Sequence, residues 1–263
     1  MADESLREKV VIVTGASSGI GRKVAQQLAD QGAWLVLAAR SREGLEETAQ
    51  GCRQRGGRAL VVPTDVSAKA QCQALIERAA AEYGRIDALV NNAGISQVAR
   101  FDELDDLEIL EHILHINYLG SVYCTFYALP YLKESKGRIV GISSLSGKVG
   151  TPGLSAYSAS KHAMAGFFDA LRIELAGQGV SVTMIYPSLV ATARIEARGG
   201  PPGAGMLPAA MPVETCARLI VEAMARRKRE VVMTLTGKMA LWLRLIAPGI
   251  LEAMVRRATA GVE

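Results

Sequence analysis

The sequence predicts an α/β domain, in which a doubly wound parallel β-sheet of about seven strands carries helices on both faces. Three observations predict it: short β-rich runs alternate with helical stretches, the strand runs are apolar throughout, and a glycine-rich turn joins the first strand to the first helix. Alternation builds a parallel sheet because a parallel partner is reached only through a crossover. Strands without polar alternation fit burial on both sides. At 263 residues and 49% hydrophobic content, the chain can bury one large core, so we expect a single domain over 1–263.

Taken in order, the first strand is the β-branched run Val10–Thr14. It leads through Thr14-Gly15-Ala16-Ser17-Ser18-Gly19-Ile20-Gly21 into a helical stretch over 22–31. Glycines let the backbone approach a pyrophosphate, and the N–H groups and positive end of the new helix hold its charge. Gly15, Ser17, Ser18, Gly19, Ile20 and Gly21 are therefore candidate phosphate-binding residues, although their spacing differs from the Gly-x-Gly-x-x-Gly fingerprint. The second strand, 34–38, is followed by Ala39 and Arg40. An acidic side chain here would hold the ribose hydroxyls of NAD, whereas an arginine meets the 2′-phosphate of NADP. Arg40 offers a fork suited to phosphate, Ser17 could add a hydroxyl, and the implied cofactor is NADP(H).

The third strand, 59–62, precedes Asp65 and Val66; Asp65 could equally cap the helix starting near Ser67. The fourth, 88–90, runs into Asn91-Asn92-Ala93-Gly94, and the fifth, Arg138–Ile142, into Ser143-Ser144. The sixth, Ser181–Tyr186, is followed by Pro187-Ser188-Leu189-Val190-Ala191-Thr192, and the seventh spans 230–234. Ligands bind outside the carboxyl ends of such strands, so Gly15, Asn91, Ser144 and Pro187 should converge on one crevice.

Tyr157 and Lys161 stand four residues apart in a helical run, which puts phenol and ammonium on one face. A cation nearby favours phenolate and lowers the tyrosine pKa toward the range where it can exchange a proton with an alcohol or carbonyl.

With the glycine turn and this pair in hand, the chain resembles the short-chain dehydrogenase/reductase family, of the type with a Tyr-x-x-x-Lys active site. The resemblance extends over nearly the whole chain. Asn91-Asn92-Ala93-Gly94 matches the family's motif after the fourth strand, Ser144 stands thirteen residues before Tyr157 as the family's serine does, and Asn117 lies in a helical stretch where its asparagine belongs. Pro187 to Thr192 matches Pro-Gly-x-Val-x-Thr, with Ser188 in place of glycine. The resemblance implies a Rossmann-type fold and a catalytic set of Asn117, Ser144, Tyr157 and Lys161, Asn117 ordering a water that links Lys161 to solvent. It also implies cofactor contacts from Asp65, Val66, Asn92, Ala93, Gly94, Pro187, Val190 and Thr192, with Tyr157 and Lys161 reaching the nicotinamide ribose. A homodimer or homotetramer built on the helices carrying Asn117 and Tyr157 is implied too.

The segment 194–212 is rich in proline and glycine and reads as a substrate lid, with Ile195, Met206, Leu207 and Met211 as an apolar lining. Beyond the last strand, 237–260 forms an amphipathic extension of two short helices separated at Pro248-Gly249. Lys238, Arg244, Arg256 and Arg257 flank it, which opens peripheral membrane contact beside packing within the fold or against a second subunit. Net charge is +4, from 30 basic and 26 acidic residues spread along the chain, and argues against nucleic acid as partner. Cys52, Cys72, Cys124 and Cys216 lack metal or disulfide spacing, so no metal is expected. Met1 to Ser5 has no apolar run, and a cytoplasmic location is expected.

Together these readings predict an NADP(H)-dependent carbonyl reductase or alcohol dehydrogenase acting on a hydrophobic small molecule, a ketone, 3-oxoacyl or steroid-like compound. The alternatives are an NADPH-binding sensor with little turnover and a peripheral membrane-associated reductase.

Overall fold

The computed structural model describes residues 6–192 and 210–259. Val10–Thr14 (β1) is buried at every position, as a strand covered on both faces must be. Its side chains divide between two cores by the two-residue period of a strand: Val11 and Val13 enter one, Val10 and Ile12 the other. The remaining strands are Trp34–Ala39 (β2), Arg58–Pro63 (β3), Ala88–Asn91 (β4), Arg138–Ile142 (β5), Ser181–Tyr186 (β6), Val190–Ala191 (β7), Met211–Pro212 (β8) and Glu230–Val232 (β9). Seven of them form one sheet in the order β3-β2-β1-β4-β5-β6-β9, with every pair parallel. The predicted doubly wound Rossmann-type sheet is thus the observed one. Strand order reverses between β1 and β4, where such sheets open a crevice for ligands.

Gly19–Asp30 (α1) and Arg42–Gln54 (α2) cover one face, contributing Val24, Leu28, Leu45 and Ala49 to the first core. Lys69–Tyr83 (α3) supplies Leu75 and Ile76 to the second. Glu108–Leu114 (α4) continues through a π-helical turn, His115–Leu119, into Gly120–Glu134 (α5), and Ser155–Glu174 (α6) follows. Leu132 from α5 and Phe168 from α6 complete that second core, while Val213–Ala225 (α7) returns to the first with Ile220 and Met224.

The structure refines the sequence reading in three places. The last strand ends at Val232 because Thr234 turns to capping: its Oγ1 accepts the N–H of Gly237 at 3.1 Å and opens Leu235–Ile246 (α8) two residues earlier than expected. The chain breaks at Ala247 and resumes as Pro248–Thr259 (α9), Pro248 sitting at the helical position that needs no N–H. The parallel β7–β8 pair is also new: Val190 faces Met211, so the chain just before the expected lid runs beside the lid's last two residues. Ile195, Met206 and Leu207 lie outside the described residues, and Met211 packs against the first core. Among the described residues no helix is long and apolar enough to cross a membrane.

Candidate active site

Because β1 and β4 are neighbours, the glycine turn and the Asn91–Gly94 stretch leave the sheet side by side. Asn92 stitches them together: its Nδ2 donates to the carbonyls of Thr14 (2.9 Å) and Gly15 (3.2 Å). The Thr14 hydroxyl in turn accepts the N–H groups of Asn92 (3.0 Å) and Ala93 (3.1 Å). The approach is too close for side chains. Gly15 has φ +65°, and a Cβ on Gly21 would stand 2.3 Å from the Gly15 oxygen and 2.5 Å from Asn92 Nδ2. Helix α1 begins with Ser18 making no side-chain cap bond and with no acidic residue in its first turn. The N–H groups of Gly19, Ile20 and Gly21 are those a helix cannot satisfy internally, so the turn fits a pyrophosphate. Thr192 closes from the other side, its methyl 3.6 Å from the place of a Cβ on Gly19.

Ser144 ends β5 in extended conformation, and its Oγ accepts the N–H of Ser146 at 3.2 Å as a short 3-10 turn begins. The loop after β6 is tied to this turn, since the buried Pro187 accepts the Leu145 N–H at 2.8 Å. Tyr157 lies in the first turn of α6. Burial raises its pKa, and hydrogen bonding with the Ser144 side chain pulls the other way without reversing the shift. The phenol is therefore protonated at neutral pH.

One turn further on, Lys161 is buried, and its Nζ donates to the Ile142 carbonyl at 2.8 Å. Desolvation brings its pKa down to about 8. Helical spacing does bring the pair together, with the ammonium 5.8 Å from the Tyr157 ring centroid. The expectation of a net lowering of the Tyr157 pKa is nevertheless corrected: the ammonium is held by a strand carbonyl, and loss of water dominates at the phenol.

Asn117 sits in the π-helical turn, a local widening of the helix often found at functional sites. It is fully buried; its Oδ1 accepts the Ile95 N–H at 2.8 Å, and its Nδ2 donates to the Ile95 carbonyl and to Ser160 Oγ, each at 2.9 Å. Ser160 Oγ donates onward to the Tyr157 carbonyl at 2.7 Å. A Cβ on Gly94 would lie 3.2 Å from Asn117 Oδ1 and 3.5 Å from Lys161 Nζ, so the loop after β4, the π turn and α6 meet at one point. Ser160 and Ile95 were absent from the sequence reading. Ser160 had a signal, three residues beyond Tyr157 on the same helical face. Ile95 acts through its backbone, which no side-chain pattern reveals.

Arg40 is exposed just past β2 and forms no ion pair among the described residues. Asp65 accepts the N–H (2.9 Å) and hydroxyl (2.7 Å) of Ser67. Burial pushes the Asp65 carboxyl up, but these bonds, with the charges of Arg40 and His112, hold it below the usual carboxylate range. Capping of the turn before α3 is thus its visible role. Val66 is buried against Gly120, and Val190 is buried in β7. Ser17 is partly buried, its carbonyl accepting Arg22 Nε at 3.1 Å.

A phosphate-ready helix start at the switch point of a parallel sheet, facing a Tyr–Lys–Ser–Asn cluster, defines a dinucleotide-binding enzyme fold. The model of the short chain dehydrogenase family matches residues 9–199, and the chain belongs to that family, whose members are oxidoreductases using nicotinamide cofactors. It is 36% identical to 11-beta-hydroxysteroid dehydrogenase A of Sesamum indicum, over 96% of this chain and 76% of that protein. It is 42% identical to 11-beta-hydroxysteroid dehydrogenase-like 3 of Arabidopsis thaliana, over 72% of this chain and 61% of that protein. With 11-beta-hydroxysteroid dehydrogenase-like 4A of Arabidopsis thaliana, identity is 35% over 97% of this chain and 86% of that protein.

Proposed function

We propose that the protein uses NADP(H) to interconvert a carbonyl and a secondary alcohol on a lipophilic, steroid-like small molecule. The observation that carries the reading is Tyr157, kept protonated by burial, beside the Ser144 hydroxyl with the Lys161 ammonium one helical turn behind. The nicotinamide, when bound, supplies or accepts the hydride. Tyr157 donates its proton to the carbonyl oxygen, and Ser144 donates a hydrogen bond to the same oxygen as charge builds there. Lys161 then faces a phenolate and stabilises it through charge. Asn117 and Ser160 hold the helix turn that carries this exchange, and Asn117 orders the water through which Lys161 meets solvent.

Arg40 supports the NADP preference, because no carboxylate stands at the end of β2 to repel a 2′-phosphate or to hold ribose hydroxyls. The steroid-like substrate rests on the names of the relatives and on two apolar residues, Leu145 next to Ser144 and Val98, which is 44% exposed beside Gly153 on the loop before α6. A homodimer or homotetramer is supported by Phe126 on α5 and Ile173 on α6, which are 67% and 76% exposed.

The test is NADPH oxidation by the pure protein against ketones graded in lipophilicity, at pH 6–10. Turnover should rise with apolar size and decline above about pH 8, where Lys161 loses its charge. Tyr157→Phe should reduce kcat by about 10²–10⁴-fold and leave NADPH affinity unchanged. A Tyr157→Phe variant that still turns over sinks the acid/base assignment, and NADPH binding without turnover on any ketone favours the sensor reading.

A further inference from the structure

Seven of the twelve large apolar side chains exposed among the described residues lie on α8 and α9: Leu235, Met239, Trp242, Leu245, Ile246, Ile250 and Met254. On α8, Leu235, Met239, Trp242 and Ile246 follow one another at intervals of four, three and four residues, which aligns them along one helix face. That face looks outward, with Trp242 68% and Ile246 74% exposed. The only residue of α8 that is buried is Gly237, whose place for a Cβ is 3.4 Å from Leu145 Cδ1. The hairpin therefore starts beside Leu145, the residue next to Ser144. Its charges are one-sided: Lys238, Arg244, Arg256 and Arg257 against Glu252.

We propose that α8 and α9 form an interfacial hairpin that lies on an anionic lipid surface, seating the Leu235–Met239–Trp242–Ile246 stripe among the acyl chains with the basic residues at the headgroups. An aliphatic stripe with a tryptophan, flanked by cations, is the composition of helices that lie in the membrane plane. A second copy fits the stripe less well. A two-fold contact sets a patch against itself, so Lys238, which borders the stripe, would meet its own copy with a single carboxylate in the hairpin to offset it. Phosphatidylserine and similar lipids supply the missing negative charge. The placement would also let a lipophilic substrate pass from bilayer to crevice beside Leu145, though lipid binding itself does not depend on the catalytic reading.

The experiment is co-sedimentation of the full chain with vesicles of phosphatidylcholine alone and with about one-third phosphatidylserine, without substrate. Anionic vesicles should bind at least about tenfold more tightly, and Lys238→Glu with Arg244→Glu should remove about that factor. Trp242→Ser with Ile246→Ser should abolish binding at any salt concentration, while NADPH binding reports that the fold is intact. Sedimentation no greater than without vesicles overturns the proposal. So does a dimer, measured by light scattering, that the Trp242→Ser and Ile246→Ser substitutions dissociate in a chain that ignores vesicles, because a second copy would then be the occupant.

Discussion

The glycine turn between β1 and α1 and the hairpin of α8 and α9 treat surface in opposite ways. In the turn, backbone packs on backbone so closely that a methyl group at Gly21 would overlap the Gly15 carbonyl. In the hairpin, large apolar side chains stand in the open, and Gly249 has no atom within 4 Å of the place for a Cβ. The first region recognises its ligand by what is missing from the chain, and its chemistry is carried by N–H groups common to every residue. The second recognises by what the side chains add. A protein built this way can keep one cofactor site while its outer edge sets where it works and on what.

The largest contrast should come from one substitution in each region. Gly21→Ala should cost about 3 kcal/mol of stability and remove dinucleotide binding, since neither the Gly15 carbonyl nor Asn92 can retreat. Gly249→Ala should instead stabilise by about 0.5 kcal/mol, by restricting the unfolded chain. Thermal unfolding with and without NADPH reads both, and equal effects would erase the distinction between the regions.

Arg40→Ala should weaken NADPH by roughly 10–100-fold, the worth of a charge-assisted phosphate contact, with NADH nearly unaffected. Titration calorimetry with the two cofactors checks it; equal losses would move the 2′-phosphate site elsewhere.

Lys161→Met sharpens the comparison within the crevice, because burial there is costly to the fold. The Lys161 pKa falls from the usual 10.5 to about 8 on folding. Below about pH 8 both states are protonated and the full cost of burying the charge is present; between pH 8 and 10.5 the folded chain releases its proton first, so stability rises with pH. Lys161→Met should therefore be inactive yet more stable than the parent by about 1–2 kcal/mol at pH 7, with the advantage shrinking toward pH 10. Denaturant midpoints across that range decide it.

The smallest catalytic effect is expected at Ser160, a positioning residue that acts through Asn117 and the Tyr157 carbonyl. Ser160→Ala should reduce kcat by about tenfold, the worth of one buried hydrogen bond, with KM unchanged and the alkaline limb of the pH profile displaced. A fall in stability alone, with that limb unmoved, would make Ser160 merely structural.

Much of this was legible in the chain. Period and composition placed β1, β2, β5 and β6 within a residue of their observed ends, because strands buried on both faces leave an unbroken apolar record. Spacings of four or fewer residues, such as Tyr157 to Lys161, survive folding because a helix fixes local geometry. Illegible were the features that depend on distant partners. The β7–β8 pair joins two-residue segments whose partners stand twenty-one positions apart, too short to carry a pattern. Ile95 meets Asn117 through its backbone.

The sequence by itself determined the parallel sheet, the glycine turn, the juxtaposition of Tyr157 with Lys161 and the amphipathic character of α8 and α9, since each follows from local periodicity and backbone sterics. Only the tertiary structure decided that burial, rather than the Lys161 charge, governs the Tyr157 phenol, that Ser160 and Ile95 hold Asn117, and that the apolar stripe of α8 faces outward. Those outcomes turn on how much water and which carbonyl each side chain meets, and both are set by elements far apart in the chain.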